Sequence, residues 1–375
     1  MKKLFGLITA LVLFVSFSSG IAAQEVSKKY KSSYQSVCAG TISLKGKVQS
    51  PTLNGSIGFD LADNYVYVAN SNTSTLSIID VSNPAQPLMV GSINSVTELS
   101  GAFSVVAAGR YVFVTASSSN RLTVVDVSNP AAPFIAGGVN DSVRLNAVRG
   151  LSLSGRYAFV TAFGGNRLTV IDISAPTMPV IVSSINDADA LAGADGLFIS
   201  DKYAYVAANF SNHLTKINIA NPFAPSLTNS IGDVINLGGA RDVFVSGKNA
   251  FVAGQSGNTF CIVDVAMPRR SRLRGAIQDG TLLNGAKHVF IRGSYAYVTS
   301  NNNNVLAIID ISNIYAPAIV GFIDDDANLL QARKVIAAGA YIYVAAHGVF
   351  SIWNNPCAQT ESAFSFQRNV QTAWN

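Results

Sequence analysis

Residues 111–133 read YVFVTASSSNRLTVVDVSNPAAP. An aromatic residue opens an apolar run, a polar turn follows, and a second apolar run closes on Asp126 ahead of Ser-Asn-Pro. The string returns along the chain: its opening residue recurs as Tyr65, Tyr111, Tyr157, Tyr203, Asn249, Tyr295 and Tyr341, its closing acid as Asp80, Asp126, Asp172, Asn218, Asp264 and Asp310. Both series advance by 46 residues without a slip. A fixed period of this length marks stacked structural repeats, in which no unit buries its apolar face alone.

Around this stretch each repeat divides into four short segments. In the second copy Phe103–Ala108 ends at Gly109-Arg110, a two-residue turn suited to a tight hairpin. Tyr111–Ala116 and Leu122–Val127 are rich in valine and aromatic side chains, which favour strand, and Phe134–Val139 completes the unit. Runs such as YVYVA and LTVVDV are continuously apolar rather than alternating, so both sheet faces must be covered. Four-stranded antiparallel sheets stacked face to face in a ring meet that requirement, and the period predicts a seven-bladed β-propeller. Pro87, Pro133, Pro179, Pro225 and Pro317 open the fourth segment. Proline cannot donate to a ladder, so that strand lies at the edge and is guarded against pairing with other chains.

The seventh copy, 341–354, loses two residues from its polar turn and has no fourth segment. The stretch 41–48, TISLKGKV, is a fourth segment without a repeat. The ring therefore closes by letting the N-terminal strand complete the last blade. Cys38 and Cys357 project onto the same place in the repeat, between third and fourth strands, and are expected to form a disulfide across this seam. Cys261 stands where other copies have Ser77, Thr123, Thr169, Thr215 and Ala307, and reads as a small buried strand residue.

Apolar residues make up 49% of the chain and charged residues 13%, so burial is extensive and few side chains remain to coat the outer faces of long helices. The net charge is +5, without a dense Lys/Arg run, which argues against nucleic acid. Lys2 and Lys3, the apolar 4–15 and the small residues to Ala23 read as a signal peptide over 1–23. The expected organisation is then a polar tether over 24–37, the propeller over 38–357 and a C-terminal tail over 358–375 that either packs under the ring or stays disordered. An exported monomer, periplasmic, secreted or at the cell surface, with no membrane span after cleavage, follows.

Several polar positions recur. The acids from Asp80 to Asp310 stand before Ser-Asn-Pro and suit capping of the next turn, a task Asn218 performs equally well. Asn120, Asn166, Asn212, Asn258 and Asn304 suit left-handed turn geometry. Asp141, Asp187, Asp233, Asp279 and Asp325 suit N-caps of a short helical turn. Leu53, Leu99, Leu145, Leu191, Leu237, Leu283 and Leu329 read as plugs between blades. No cofactor is expected; the one place where composition would suit calcium is Asp324-Asp325-Asp326, whose spacing matches no known loop.

Four residues after each leucine the copies disagree: Arg149, Asp195, Arg241, Lys287 and Arg333, with Asp242, His288 and Lys334 beside three of them. These positions precede the innermost strand and should ring one mouth of the central channel. Charges of both signs there predict a site for a small charged ligand or an acidic loop of a protein partner, on Arg149, Asp195, Arg241, Asp242, Lys287, His288 and Arg333. His213, His288 and His347 fall in different copies, and a metal cluster would need the ring to bring His288 to Asp242 or Asp195.

The runs LSIIDVS, LTVVDVS, LTVIDIS and LAIIDIS resemble the LVIVD repeat, and YVYVAN, YVFVTA and YAYVTS resemble the related YVTN repeat of surface proteins. The resemblance implies a β-propeller in exported or surface proteins and supplies no catalytic residues. The chain thus reads as a binding or scaffold module rather than an enzyme, the rival being a lactonase-like hydrolase or a cofactor-dependent dehydrogenase in the central funnel.

Overall fold

The computed structural model describes residues 40–360 and the backbone of Val370–Gln371. Seven four-stranded antiparallel blades form a ring, and the first six run from an inner strand to an outer one in chain order. Blade 2 is representative: Ala102–Ala108, Tyr111–Ala116, Arg121–Asp126 and Phe134–Asn140, with Tyr111 paired to Asp126 and Asp126 to Phe134. The two middle strands are buried almost throughout because each is covered by the neighbouring blades, whereas the outer strand is half exposed. All seven plug leucines, Leu53 to Leu329, have no exposed surface. The prolines sit immediately before the outer strands, as in Pro133 ahead of Phe134.

Closure occurs as the orphan segment predicts. Leu44–Gln49 pairs antiparallel with Val349–Asn354, so blade 7 takes its outer strand from the N-terminal side. The register is the repeat's own. Gly91 in the outer strand of blade 1 lies against the Pro130 carbonyl oxygen of blade 2, and a methyl group there would overlap it. Gly46 meets Pro84 of blade 1 in the same way, so the seam is packed like any other blade junction. Asn354 pins it, donating from Nδ2 to the Thr41 carbonyl at 2.7 Å and accepting from the Ser43 N–H.

Cys38 and residues 1–37, the expected leader and tether, lie outside the described residues. Cys357 is 2% exposed, and Cys261 is the free thiol among the described residues, buried on its strand. Of the tail, Val370–Gln371 adds in parallel to the inner strand of blade 3 beside Leu153 and Ser154. Blade 5 departs from the pattern in a way the period did not announce. Its outer hairpin lengthens to Thr259–Met267 and Arg270–Gln278, and the outer-strand proline is replaced by Ser271.

The recurring polar residues act locally. Oδ1 of each strand-ending acid accepts the N–H two residues on, 2.8 Å for Ser82 to Asp80, and Asn218 does the same for Ala220 at 2.9 Å. The N-cap acids accept two N–H groups each, as Asp233 does from Ile235 and Asn236 at 2.9 Å. The turn asparagines hold positive φ and also reach the next blade: Asn212 (φ 59°) accepts the N–H of Gly239, itself at φ 63°, at 2.7 Å. That interblade bond repeats from Asn120, Asn166, Asn258 and Asn304.

Candidate functional site at the channel mouth

The inner strands converge on the axis, and their first residues carry the positions where the copies differ. Most of these strands contain a bulge there: the ladder shifts between Ala240 and Asp242 and between Ala286 and His288. A bulge re-aims consecutive side chains, and Arg241 with Asp242, like Lys287 with His288, line one cavity of about 90 Å³ together with Asp195, Arg333 and Lys334. Threonines on the second strands fix the rim backbone. Thr161 Oγ1 accepts from the Gly150 N–H at 2.8 Å and donates to the Asp195 carbonyl of the next blade at 2.6 Å.

The rim is a half-ring of cations around one carboxylate. Asp195, 3% exposed, receives Arg149 Nη1 at 2.7 Å and Arg241 Nη1 at 2.5 Å, both on Oδ2. Arg149 also stacks on Phe163, its guanidinium carbon 3.3 Å from the ring centre, and Phe163 packs against Phe210. Lys287 and Arg333 find no carboxylate among the described residues. Burial, then Arg241 and Arg333 beside it, pushes the Lys287 ammonium down to about 7, with Asp195 acting in the opposite sense. Burial and the flanking arginines likewise make the charge on Arg333 costly and lower its proton affinity.

A second charged layer lies beneath. Asp242 Oδ2 accepts the Val289 N–H at 3.1 Å and stands 3.5 Å from His288 Nε2. Burial pushes the Asp242 carboxyl up to about 7, against the pull of that hydrogen bond and of Lys334. His288 is held neutral, its proton affinity depressed well below the usual range by burial and then by Lys334. Lys334 is itself lowered by burial, with Asp60 and Asp242 opposing. A further cavity of about 60 Å³ continues down to Asp60 and an aromatic floor, where Phe244 meets Phe198 at a tilt and Phe290 edge-on, at 4.7 and 5.4 Å between centres. The mouth therefore opens on a charged funnel whose lower end is filled with rings.

Six of the seven expected site residues line the one cavity; the seventh, Arg149, is a rim residue joined to that lining through Asp195. Asp195 is spent on two arginines and acts as a clamp. His213, whose Nδ1 lies 2.7 Å from the Ser211 carbonyl oxygen, opens the strand His213–Asn218 of blade 4, two blades from His288. Asp325 commits Oδ1 to two N–H groups and Oδ2 to Asn328, and among the described residues no group of three His, Cys, Asp or Glu is arranged to hold a metal. Reasoning from the repeat missed Asp60 and Phe163. Phe163 follows the second strand of blade 3, where Ser117 stands in blade 2, so a position-by-position comparison of the turns would have exposed it.

The LVIVD-repeat profile matches six stretches, residues 60–95, 101–141, 147–187, 193–233, 237–273 and 285–325, well over half of the chain. Among curated proteins none matches in sequence. Solved structures with the same fold include virginiamycin B lyase from Staphylococcus aureus, 11% identical with a TM-score of 0.66 over 84% of this chain and 100% of that one. The propeller domain of Cps50 (Swd1) from Myceliophteria thermophila is 14% identical at 0.65, covering 84% and 100%. A Bacteroides uniformis protein provisionally named a 6-phosphogluconolactonase is 15% identical at 0.60, covering 75% and 90%. At these identities the likeness is one of fold.

Proposed function

We propose that this chain, which belongs to the LVIVD-repeat family, is an exported binding module that takes a small anion at the mouth of its channel. One observation carries the reading: four basic side chains at the rim, Arg149, Arg241, Lys287 and Arg333, surround the single carboxylate of Asp195, which pairs with the first two and leaves Lys287 and Arg333 with no carboxylate partner among the described residues. Cations held in a concave, poorly hydrated site attract an anion far more strongly than the same charges in water. The ligand is free in solution, or is the acidic side chain of a partner's loop in the same seat. The composition of 1–23 supports export. The approach of Gly40, whose added methyl would lie 3.2 Å from the Pro356 Cβ, supports a Cys38–Cys357 bond at the seam.

Titration calorimetry and thermal shift with oxalate and sulfate test the reading. Wild type should bind, and Arg333→Ala should weaken binding at least tenfold, the loss of about 1.4 kcal/mol that one charge-assisted hydrogen bond readily supplies. If no dianion shifts the protein, or Arg333→Ala binds as wild type does, the reading fails.

A second reading, an enzyme using the funnel, is favoured by the Asp242 carboxyl, which sits near 7 beside neutral His288. Two of the similar structures carry the names of a lyase and a lactonase. Turnover of a lactone that disappears in Asp242→Asn would establish it.

A further inference from the structure

The rim contains one residue that pure anion binding does not explain. Three of its four cations are guanidinium groups, which offer a carboxylate a fixed fork of donors and do not lose their protons in proteins. The fourth is Lys287, set between Arg241 and Arg333 one blade away on either side, lining the cavity and paired with no carboxylate among the described residues. We propose that Lys287 is a nucleophilic amine that condenses with the carbonyl group of a small 2-oxo carboxylate whose acid group rests on the neighbouring arginines. The proposal rests on the anion-binding reading and names its ligand class.

The chemistry follows from what faces the amine. Arg149, Arg241 and Arg333 oppose its protonation across the rim and Asp195 favours it; Asp242, His288 and Lys334 lie in the layer below. The balance, with burial as the largest cause, leaves the amine free to a useful extent at neutral pH, whereas an ordinary lysine is almost wholly protonated. Asp242 lines the same cavity, and its raised carboxyl can both give and take a proton near neutrality. The Nζ lone pair adds to the carbonyl carbon, and the π pair moves to oxygen. Asp242 in its protonated form gives its proton to that oxygen and takes one back from nitrogen, so the carbinolamine forms with the Asp242 carboxyl protonated again. The hydroxyl then leaves as water with the Asp242 proton, giving a protonated imine and the Asp242 carboxylate. Amine and carbonyl become imine and water, with no oxidant or reductant. The ligand's own carboxylate offsets the iminium charge. A cavity of about 90 Å³, against ~30 Å³ for one water in the liquid, suits a molecule of the size of glyoxylate or pyruvate.

The test treats the full chain with glyoxylate and cyanoborohydride, which reduces imines as they form, and locates the adduct by intact mass and peptide mapping. One adduct per chain is expected at Lys287, formed at least tenfold faster than at any other lysine. Its rate should rise with pH through about 7 and then level. Oxalate, which holds the arginines but has no carbonyl that condenses, should compete. Lys287→Arg should remove the adduct, and Arg241→Gln should slow trapping of glyoxylate more than of uncharged propanal. If oxalate binds wild type while glyoxylate labels the lysines evenly or spares Lys287, this inference is overturned and anion binding stands. If oxalate does not bind, both fall. Mapping on wild type decides the matter even where a variant fails to fold.

Discussion

Replacing Asp195 by alanine tests the rim most directly, because that side chain holds two arginines on one oxygen. In the variant, four buried or half-buried cations face one another with no carboxylate between them. Removing one partner of a buried ion pair costs about 3–5 kcal/mol, since the remaining charge stays desolvated. Arg149 and Arg241 retain 19% and 14% exposure, and Arg149 keeps the face of Phe163, which places the expected loss at the lower end, about 3 kcal/mol. At 2–4 °C per kcal/mol for a large domain, Tm should fall by roughly 6–12 °C. The space left by the carboxylate matches formate. Formate at a hundredfold excess over its Kd should restore about 2.7 kcal/mol to the variant. Thermal and urea unfolding followed by circular dichroism, with formate exchanged for chloride at constant ionic strength, measures both effects. A loss below about 1 kcal/mol, or equal stabilisation of wild type and variant by formate, would refute the account of the rim as a cation cluster held by one acid.

Three further outcomes follow. Lys287 binds fewer protons folded than unfolded between about 7 and its ordinary 10.5, so stability should rise with pH across that window and the rise should vanish in Lys287→Met; Asp242 binds more protons folded between 3.8 and about 7, so its contribution falls across the lower window and is removed by Asp242→Asn, as urea titrations at stepped pH would show. Asn212→Ala strips the partner from the Gly239 N–H and should cost about 1–3 kcal/mol, while Asn212→Gly, which keeps left-handed freedom, should cost less; equal losses would rule out a conformational share. Leu237→Ala empties a fully buried plug and should lose about 2–5 kcal/mol in equilibrium unfolding, with an unchanged midpoint contradicting the interblade role.

Much of the architecture could be read before any coordinates because each blade is built from short-range rules that recur. Strand limits in blade 2 fall within one residue of those expected, since Gly109-Arg110 and Asn129-Pro130 punctuate the chain where the backbone must turn. The seam was readable because the seventh copy lacks its fourth strand and the first segment lacks its blade. The long hairpin of blade 5 was not foreseen. It arises where the outer-strand proline is absent, and an expectation drawn from the five copies that carry that proline passes over the one that replaces it with Ser271.

The candidate site divides differently. That Arg149, Asp195, Arg241, Lys287 and Arg333 occupy equivalent places follows from counting alone, because the period carries each to the start of an inner strand. What each one does depends on neighbours a blade away. Asp195 became a clamp because two arginines from flanking blades converge on it, and Lys287 and Arg333 were left without a carboxylate. Asp242 and His288 came within reach of one another because bulges turned consecutive side chains toward the axis. Periodicity specifies position around a ring, but desolvation and Coulomb energy depend on distances across it. The order of the residues therefore settled the blades and their closure, and only the closed ring decided which charges are satisfied and which are left to bind.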